Sequence, residues 1–161
     1  AHINPAVTLV LAARGELPRR DVAPYVLAQI AGAAVGVAIA HAMFDLPLAG
    51  ASEHARSGLS QGLSELVATF GLVVVILFVV KRRGSDAPYA VGAYITAAYW
   101  FTASTSFANP AVTLARALTP TFAGIRGADV PLYVVAQLCG AALAALFARW
   151  VEAAPAPEVE R

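Results

Sequence analysis

Charged residues are gathered into short clusters along this chain, and between the clusters run apolar stretches that follow neither a helical stripe nor a strand alternation. Val22 to Phe44 contains no Asp, Glu, Lys or Arg. As a helix rising about 1.5 Å per residue, it is long enough to cross a roughly 30 Å hydrocarbon core. Ser57 to Val80 is a second such run, interrupted by Glu65 near one end and closed by Lys81-Arg82-Arg83. Ala87 to about Thr102 and Val130 to Ala148 make a third and a fourth. Each is apolar all round, so lipid or neighbouring helices must surround it. Residues 1–13 and 103–115 are apolar too, but too short to span. The pattern predicts an all-α membrane protein with four full transmembrane helices and two half-length ones.

Composition sharpens this. Of 161 residues, 59% are hydrophobic and 13% charged, with a mean hydropathy of +0.69, whereas a soluble domain carries roughly 25% charged residues. A net charge of +1 leaves no basic face for nucleic acid, and the single Cys139 excludes an intramolecular disulfide or a cysteine metal cage. The opening Ala-His-Ile-Asn-Pro has no signal-peptide pattern. Basic residues of short loops accumulate on the cytoplasmic side. Arg14, Arg19, Arg20, Lys81, Arg82, Arg83, Arg149 and Arg161 fall on one side, and only Arg56, Arg116 and Arg126 on the other. The expected orientation has the C-terminus in the cytoplasm.

The two short stretches are copies of one another. Asn4-Pro5-Ala6-Val7-Thr8-Leu9 recurs letter for letter as Asn109-Pro110-Ala111-Val112-Thr113-Leu114. In the following spans, Tyr25-Val26-x-Ala28-Gln29-x-x-Gly32 returns as Tyr133-Val134-x-Ala136-Gln137-x-x-Gly140. An odd number of crossings separates the copies, so they enter the membrane from opposite faces, an inverted-topology duplication. In Asn-Pro-Ala, Asn suits an N-cap and Pro suits the first helical position, where its missing N–H is no loss. Two half-helices starting this way meet N-terminus to N-terminus near the midplane, a place tolerable only against protein or a watery cavity. Their dipoles repel cations there, while the Asn amides offer donors to a passing oxygen.

These residues resemble the aquaporin, or major intrinsic protein, family over essentially the whole chain. Glu65-x-x-x-Thr69-Phe70 is similar to the family's signature at the start of the first span of each half, and the Gln-x-x-Gly of each third span also fits. By that resemblance Glu65 supports the re-entrant loop, and Asn4, Pro5, Ala6, Asn109, Pro110 and Ala111 line the pore. Each half is then span, span, half-helix, span. The second half runs complete from residue 65 to 148, and residues 1–44 hold only the end of the first. Residues 45–64 form an outer loop and 149–161 a cytoplasmic tail. The expectation is a fragment lacking the first two spans of a six-span protein, which in its family assembles as a homotetramer in the plasma membrane, here a bacterial inner membrane.

In the family's water channels an Arg follows the second Asn-Pro-Ala. Here that position is Val112, and counting back from Asn109 makes Ser106 and Ala97 the other constriction positions. Losing a fixed cation widens the site and makes it less polar. The implied substrates are small uncharged solutes: glycerol, urea or undissociated metalloid acids such as arsenous acid, with water in addition. The chain also resembles a bacterial branch that carries Val at the constriction and is associated with arsenite permeation. Arg116, one turn beyond Val112, either restores part of the positive field or reaches for headgroups.

The rivals are a water-selective aquaporin and a secondary transporter, since inverted repeats serve transporters as well. Paired intramembrane charges, which a transporter wants, are missing, and neither a Ser-His pair nor a metal-binding cluster points to an enzyme or to any cofactor or metal. His41 reads as an interfacial residue and His2 as a candidate for the cytoplasmic mouth. Cys139 and Gly32-x-x-x-Gly36 read as helix packing, and Tyr99-Trp100-Phe101 first as an interfacial belt.

Overall fold

The computed structural model describes residues 1–154, and all their regular structure is helical. The half-helix α1 (Pro5–Ala13) leads into α2 (Arg19–Met43). After a long loop come α3 (Leu59–Arg83), a 3-10 turn (Gly84–Asp86) and α4 (Ala87–Phe101). A second half-helix, α5 (Pro110–Arg116), and another 3-10 turn (Gly127–Asp129) precede α6 (Val130–Ala153).

The helices outrun the charge-free runs at their ends. Arg19, Arg20 and Asp21 form the first turn of α2, and Lys81, Arg82 and Arg83 the last turn of α3, where cations suit the dipole. Because α3 already starts at Leu59, the expected outer loop ends at residue 58. The expected tail is helical through Ala153, and its residues 155–161 lie outside the described residues. Helices α2, α3 and α6 are each long and apolar enough to cross a membrane. With 15 residues, α4 rises only about 22 Å. It folds back on α3, where the Tyr94 hydroxyl donates to the Ala68 carbonyl at 3.0 Å.

Small residues let the helices approach closely. A Cβ on Gly140 of α6 would lie 2.3 Å from the Leu66 carbonyl of α3, so only glycine fits. Next to it, Ala141, Ala144 and Ala148 pack with Val73 and Leu77 of α3 and with Ala6, Val7 and Val10 of α1. Gly32 and Gly36 on α2 behave differently: a Cβ on either has nothing within 4 Å, so among the described residues no helix uses their smallness. Each half-helix packs on both α2 and α6, and α1 touches α5.

Polar groups separate to two ends. Glu152 of α6 accepts from Arg14, just after α1, at 3.1 Å and from Lys81 of α3 at 3.4 Å. At the other end, Arg126 pairs with Asp129 at 2.9 Å, and the loop after α2 is stitched to the loop after α5.

Candidate functional site

Each repeat builds its half-helix start in the same way. Asn4 Oδ1 accepts from the Ala6 N–H at 2.9 Å, and Asn109 Oδ1 from the Ala111 N–H at 3.0 Å and the Val112 N–H at 3.4 Å. Pro5 and Pro110 occupy the first helical positions. One turn on, the Thr8 hydroxyl donates to the Asn4 carbonyl and the Thr113 hydroxyl to that of Asn109. Gln29 Nε2 donates to the Thr8 hydroxyl at 2.9 Å, and Gln137 Nε2 to that of Thr113 at 2.8 Å. A side chain from the following span thus holds each half-helix.

The two starts also hold each other. Asn4 Nδ2 donates to the Ala108 carbonyl at 2.7 Å, and Asn109 Nδ2 to the Ile3 carbonyl at 2.8 Å. Ile3 and Ala108 each directly precede an Asn, and both are left-handed, with φ of 54° and 48°. For non-glycine residues this costs about 1–3 kcal/mol each. An amide NH2 has two hydrogens, and this bond uses one from each Asn.

Glu65, fully buried, fixes the strand of chain that leads into α5. Its two oxygens accept from the Phe107 and Ala108 N–H groups, both at 2.8 Å, and Oε2 also accepts from Gln137 Nε2 at 2.6 Å. Three donors suit a carboxylate's acceptor capacity without any cation.

A cavity of about 1030 Å³ runs past these groups, from Arg14, Glu16 and Lys81 at one end, past Asn4 and Asn109, to Val112, Tyr99 and Arg116 at the other. Ser106 and Val112 line it. On α4 the cavity is lined by Ala87 and Pro88 in the first turn and then by Val91, Ile95 and Tyr99, a row at helical spacing. Ala97 is exposed and is not in that row: an ungapped count from Asn109 lands two residues beyond Ile95, on the opposite side of the helix.

Other side chains fall into place around it. His2 lines the cavity, bonded to the Thr8 hydroxyl and stacked against Tyr25. His41, in the last turn of α2, is 4% exposed, its Nδ1 donating to the Pro47 carbonyl and its Nε2 hydrogen-bonded to the Thr119 hydroxyl. It braces the loop after α2 against the loop after α5. The aromatic cluster divides, with Tyr99 on the cavity and Trp100 and Phe101 exposed. Cys139 is exposed rather than packed inside the chain.

Arg56 was not legible in the sequence. Its buried guanidinium donates to the carbonyls of Gly124 at 2.8 Å, Phe122 at 3.1 Å and Ser104 at 3.2 Å, and its backbone N–H to Asp129 at 2.9 Å. The acceptors come from segments far apart in the chain, so no local spacing announces them.

Comparison with known proteins agrees with this architecture. The family model described as Major intrinsic protein matches residues 1–106 and 84–158. The chain is 58% identical over 151 residues to Aquaglyceroporin AqpS of Rhizobium meliloti, covering 94% of this chain and 65% of that protein. It is 33% identical to Aquaporin Z of Rhodopseudomonas palustris, covering 99% of this chain and 72% of the relative. Against Aquaporin Z of Bradyrhizobium diazoefficiens the identity is 31%, with 96% and 70% covered. The chain therefore spans about two thirds of the length of these relatives.

Proposed function

Because this chain belongs to the major intrinsic protein family, we propose that it works as a passive membrane channel for small uncharged solutes. Glycerol, urea and undissociated metalloid acids such as arsenous acid are the proposed substrates, with water as a co-permeant. The observation that carries this reading is the composition of the cavity wall. At mid-cavity two Asn amides sit where two helix N-termini converge, and beyond them the wall is Val112, Ile95 and Ser106.

That sequence of groups suits a neutral, oxygen-bearing solute. The converging helix dipoles disfavour a cation, and the free amide hydrogens of Asn4 and Asn109 serve as donors to a hydroxyl or acid oxygen. Val112 adds an apolar wall in place of a donor, which suits the carbon side of a polyol. Glu65 acts as the support of the entering chain. The 58% identity to a protein called an aquaglyceroporin supports glycerol, and the likeness to the aquaporin Z proteins supports water. No chemistry is done on the solute.

We further propose a multi-pass arrangement in a bacterial inner membrane, as a homotetramer. In it the Arg14–Lys81–Glu152 end and the C-terminus face the cytoplasm, as the distribution of basic loop residues supports.

The test is osmotic. Proteoliposomes holding the channel are shrunk by stopped-flow mixing with either an impermeant sugar or glycerol. Shrinkage followed by rapid reswelling in glycerol, absent from protein-free vesicles, is the expected result. Shrinkage without reswelling overturns the glycerol assignment.

A further inference from the structure

Two guanidinium groups lie against one aromatic ring at the end of the cavity remote from Arg14. Arg116 Cζ is 4.2 Å and Arg56 Cζ 5.0 Å from the centroid of Phe107. Arg56 is 9% exposed, and three carbonyls absorb its charge. Arg116 is partly exposed to the cavity, and among the described residues it forms no ion pair. The nearby carboxylates are engaged elsewhere, Asp129 with Arg126 and the Arg56 backbone, and Glu65 with the Phe107 and Ala108 N–H groups and Gln137.

A cation held over a ring, open to a cavity and short of a counter-charge, is a site for an anion. Hydroxyls accompany it. Tyr99 is its phenolic neighbour, and Ser106, 2% exposed, lines the same cavity with an Oγ that has no hydrogen-bond partner among the described residues. Arg116 also follows Val112 by one helical turn, which puts the two on one face of α5.

We propose that Arg116, with the Tyr99 and Ser106 hydroxyls, forms an oxyanion-binding site at this mouth of the cavity, taking the singly charged conjugate base of a small oxyacid. Its place on the permeation path rests on the channel reading above; the binding itself does not. A neutral oxyacid continues past Val112, whereas its conjugate base docks at Arg116, stops before the apolar wall and obstructs the mouth. Arg116 thereby discriminates between the protonation states of one solute.

Methanesulfonate is a suitable probe, being a small oxyanion that stays ionised across the working pH range. Binding to the detergent-solubilised channel is measured by isothermal titration at constant ionic strength, for the wild type, Arg116→Gln and Arg116→Lys. Saturable binding is expected, weakened roughly tenfold or more in Arg116→Gln, which removes the charge-assisted hydrogen bonds. Arg116→Lys keeps most of it and shows that a folded variant with the charge suffices. Absence of wild-type binding, or equal binding in Arg116→Gln, overturns the proposal. Glycerol flux in proteoliposomes is measured in parallel. Flux without methanesulfonate tests the channel reading alone, and its inhibition by methanesulfonate in the wild type but not in Arg116→Gln connects the site to the path.

Discussion

Asn4 and Asn109 each donate an amide hydrogen to the carbonyl that precedes the other, at 2.7 and 2.8 Å, so the two inverted half-helices are tied together where their N-termini meet. Both acceptor carbonyls belong to residues in the left-handed region, Ile3 and Ala108, whose backbone is bent to present them. The strain of these two residues is offset by a bond that neither half makes alone. The pair fixes the spacing of the two amides and leaves each one hydrogen for a solute.

Replacing either Asn therefore removes two things at once. Asn4→Ala loses the cap to the Ala6 N–H and leaves the Ala108 carbonyl without its donor. Loss of a cap costs about 0.5–2 kcal/mol and an unsatisfied buried group about 1–3 kcal/mol. Asn109→Ala is expected to match it, because the geometry is reciprocal. Thermal unfolding in detergent checks this: both variants melt several degrees below the wild type, and their glycerol flux falls together.

Glu65 is held by three N–H donors, and an amide in its place has one oxygen to accept and two hydrogens that face donors. Glu65→Gln is expected to cost about 1–3 kcal/mol for each donor left unpaired. The chain entering α5 loosens, which amide exchange at Phe107 and Ala108 measures directly. Exchange rates there rise in the variant while those within α2 stay unchanged.

Much of this was legible beforehand because it is local or repeated. The caps at Asn4 and Asn109 follow from a tripeptide, and the inverted meeting of the two follows from its duplication. The runs that became α2, α3 and α6 read as apolar spans, each stopping a few residues short at one charged or polar end, because charged residues such as Arg19 and Arg83 can finish a helix. The run expected as a full fourth span is instead the 15-residue α4. What escaped was set by tertiary contact. A count along the chain reaches Ala97, whereas the face of α4 that borders the cavity is chosen by packing against α3 and carries Ile95 and Tyr99. Arg56, and His41 through Thr119, have partners in loops far along the chain, and nothing beside them in sequence marks that.

Gly140 shows the same dependence on tertiary approach. A methyl group there meets the Leu66 carbonyl at 2.3 Å and the Phe70 N–H nitrogen at 3.1 Å, both backbone atoms that cannot turn aside. Gly140→Ala is expected to separate α3 from α6 and to destabilise the protein by about 1–3 kcal/mol or more. A lowered melting temperature and reduced yield of folded protein from membranes are the expected outcomes.

Arg56 clamps the loops at one end of the cavity through Ser104, Phe122 and Gly124. Arg56→Ala leaves those carbonyls without donors, at about 1–3 kcal/mol each where they stay buried. The expected result is faster proteolysis within residues 45–58 and 117–129, with α1 and α3 still protected. Arg56→Lys recovers only part, because an ammonium is a point charge and the three carbonyls are arranged for a planar fork.

Val112 is the residue on which the solute assignment turns, and Val112→Arg tests it most directly. The measurement is the ratio of glycerol to water permeability in proteoliposomes, wild type against variant, from the same stopped-flow traces. A guanidinium in place of the isopropyl group narrows the cavity beside Ser106 and adds fixed charge. The account predicts that glycerol permeability falls by roughly tenfold or more, the size of effect one well-placed polar constriction residue exerts, while water permeability is retained. Equal glycerol-to-water ratios in the two proteins would contradict it, and would mean that the wall at Val112 does not select the solute.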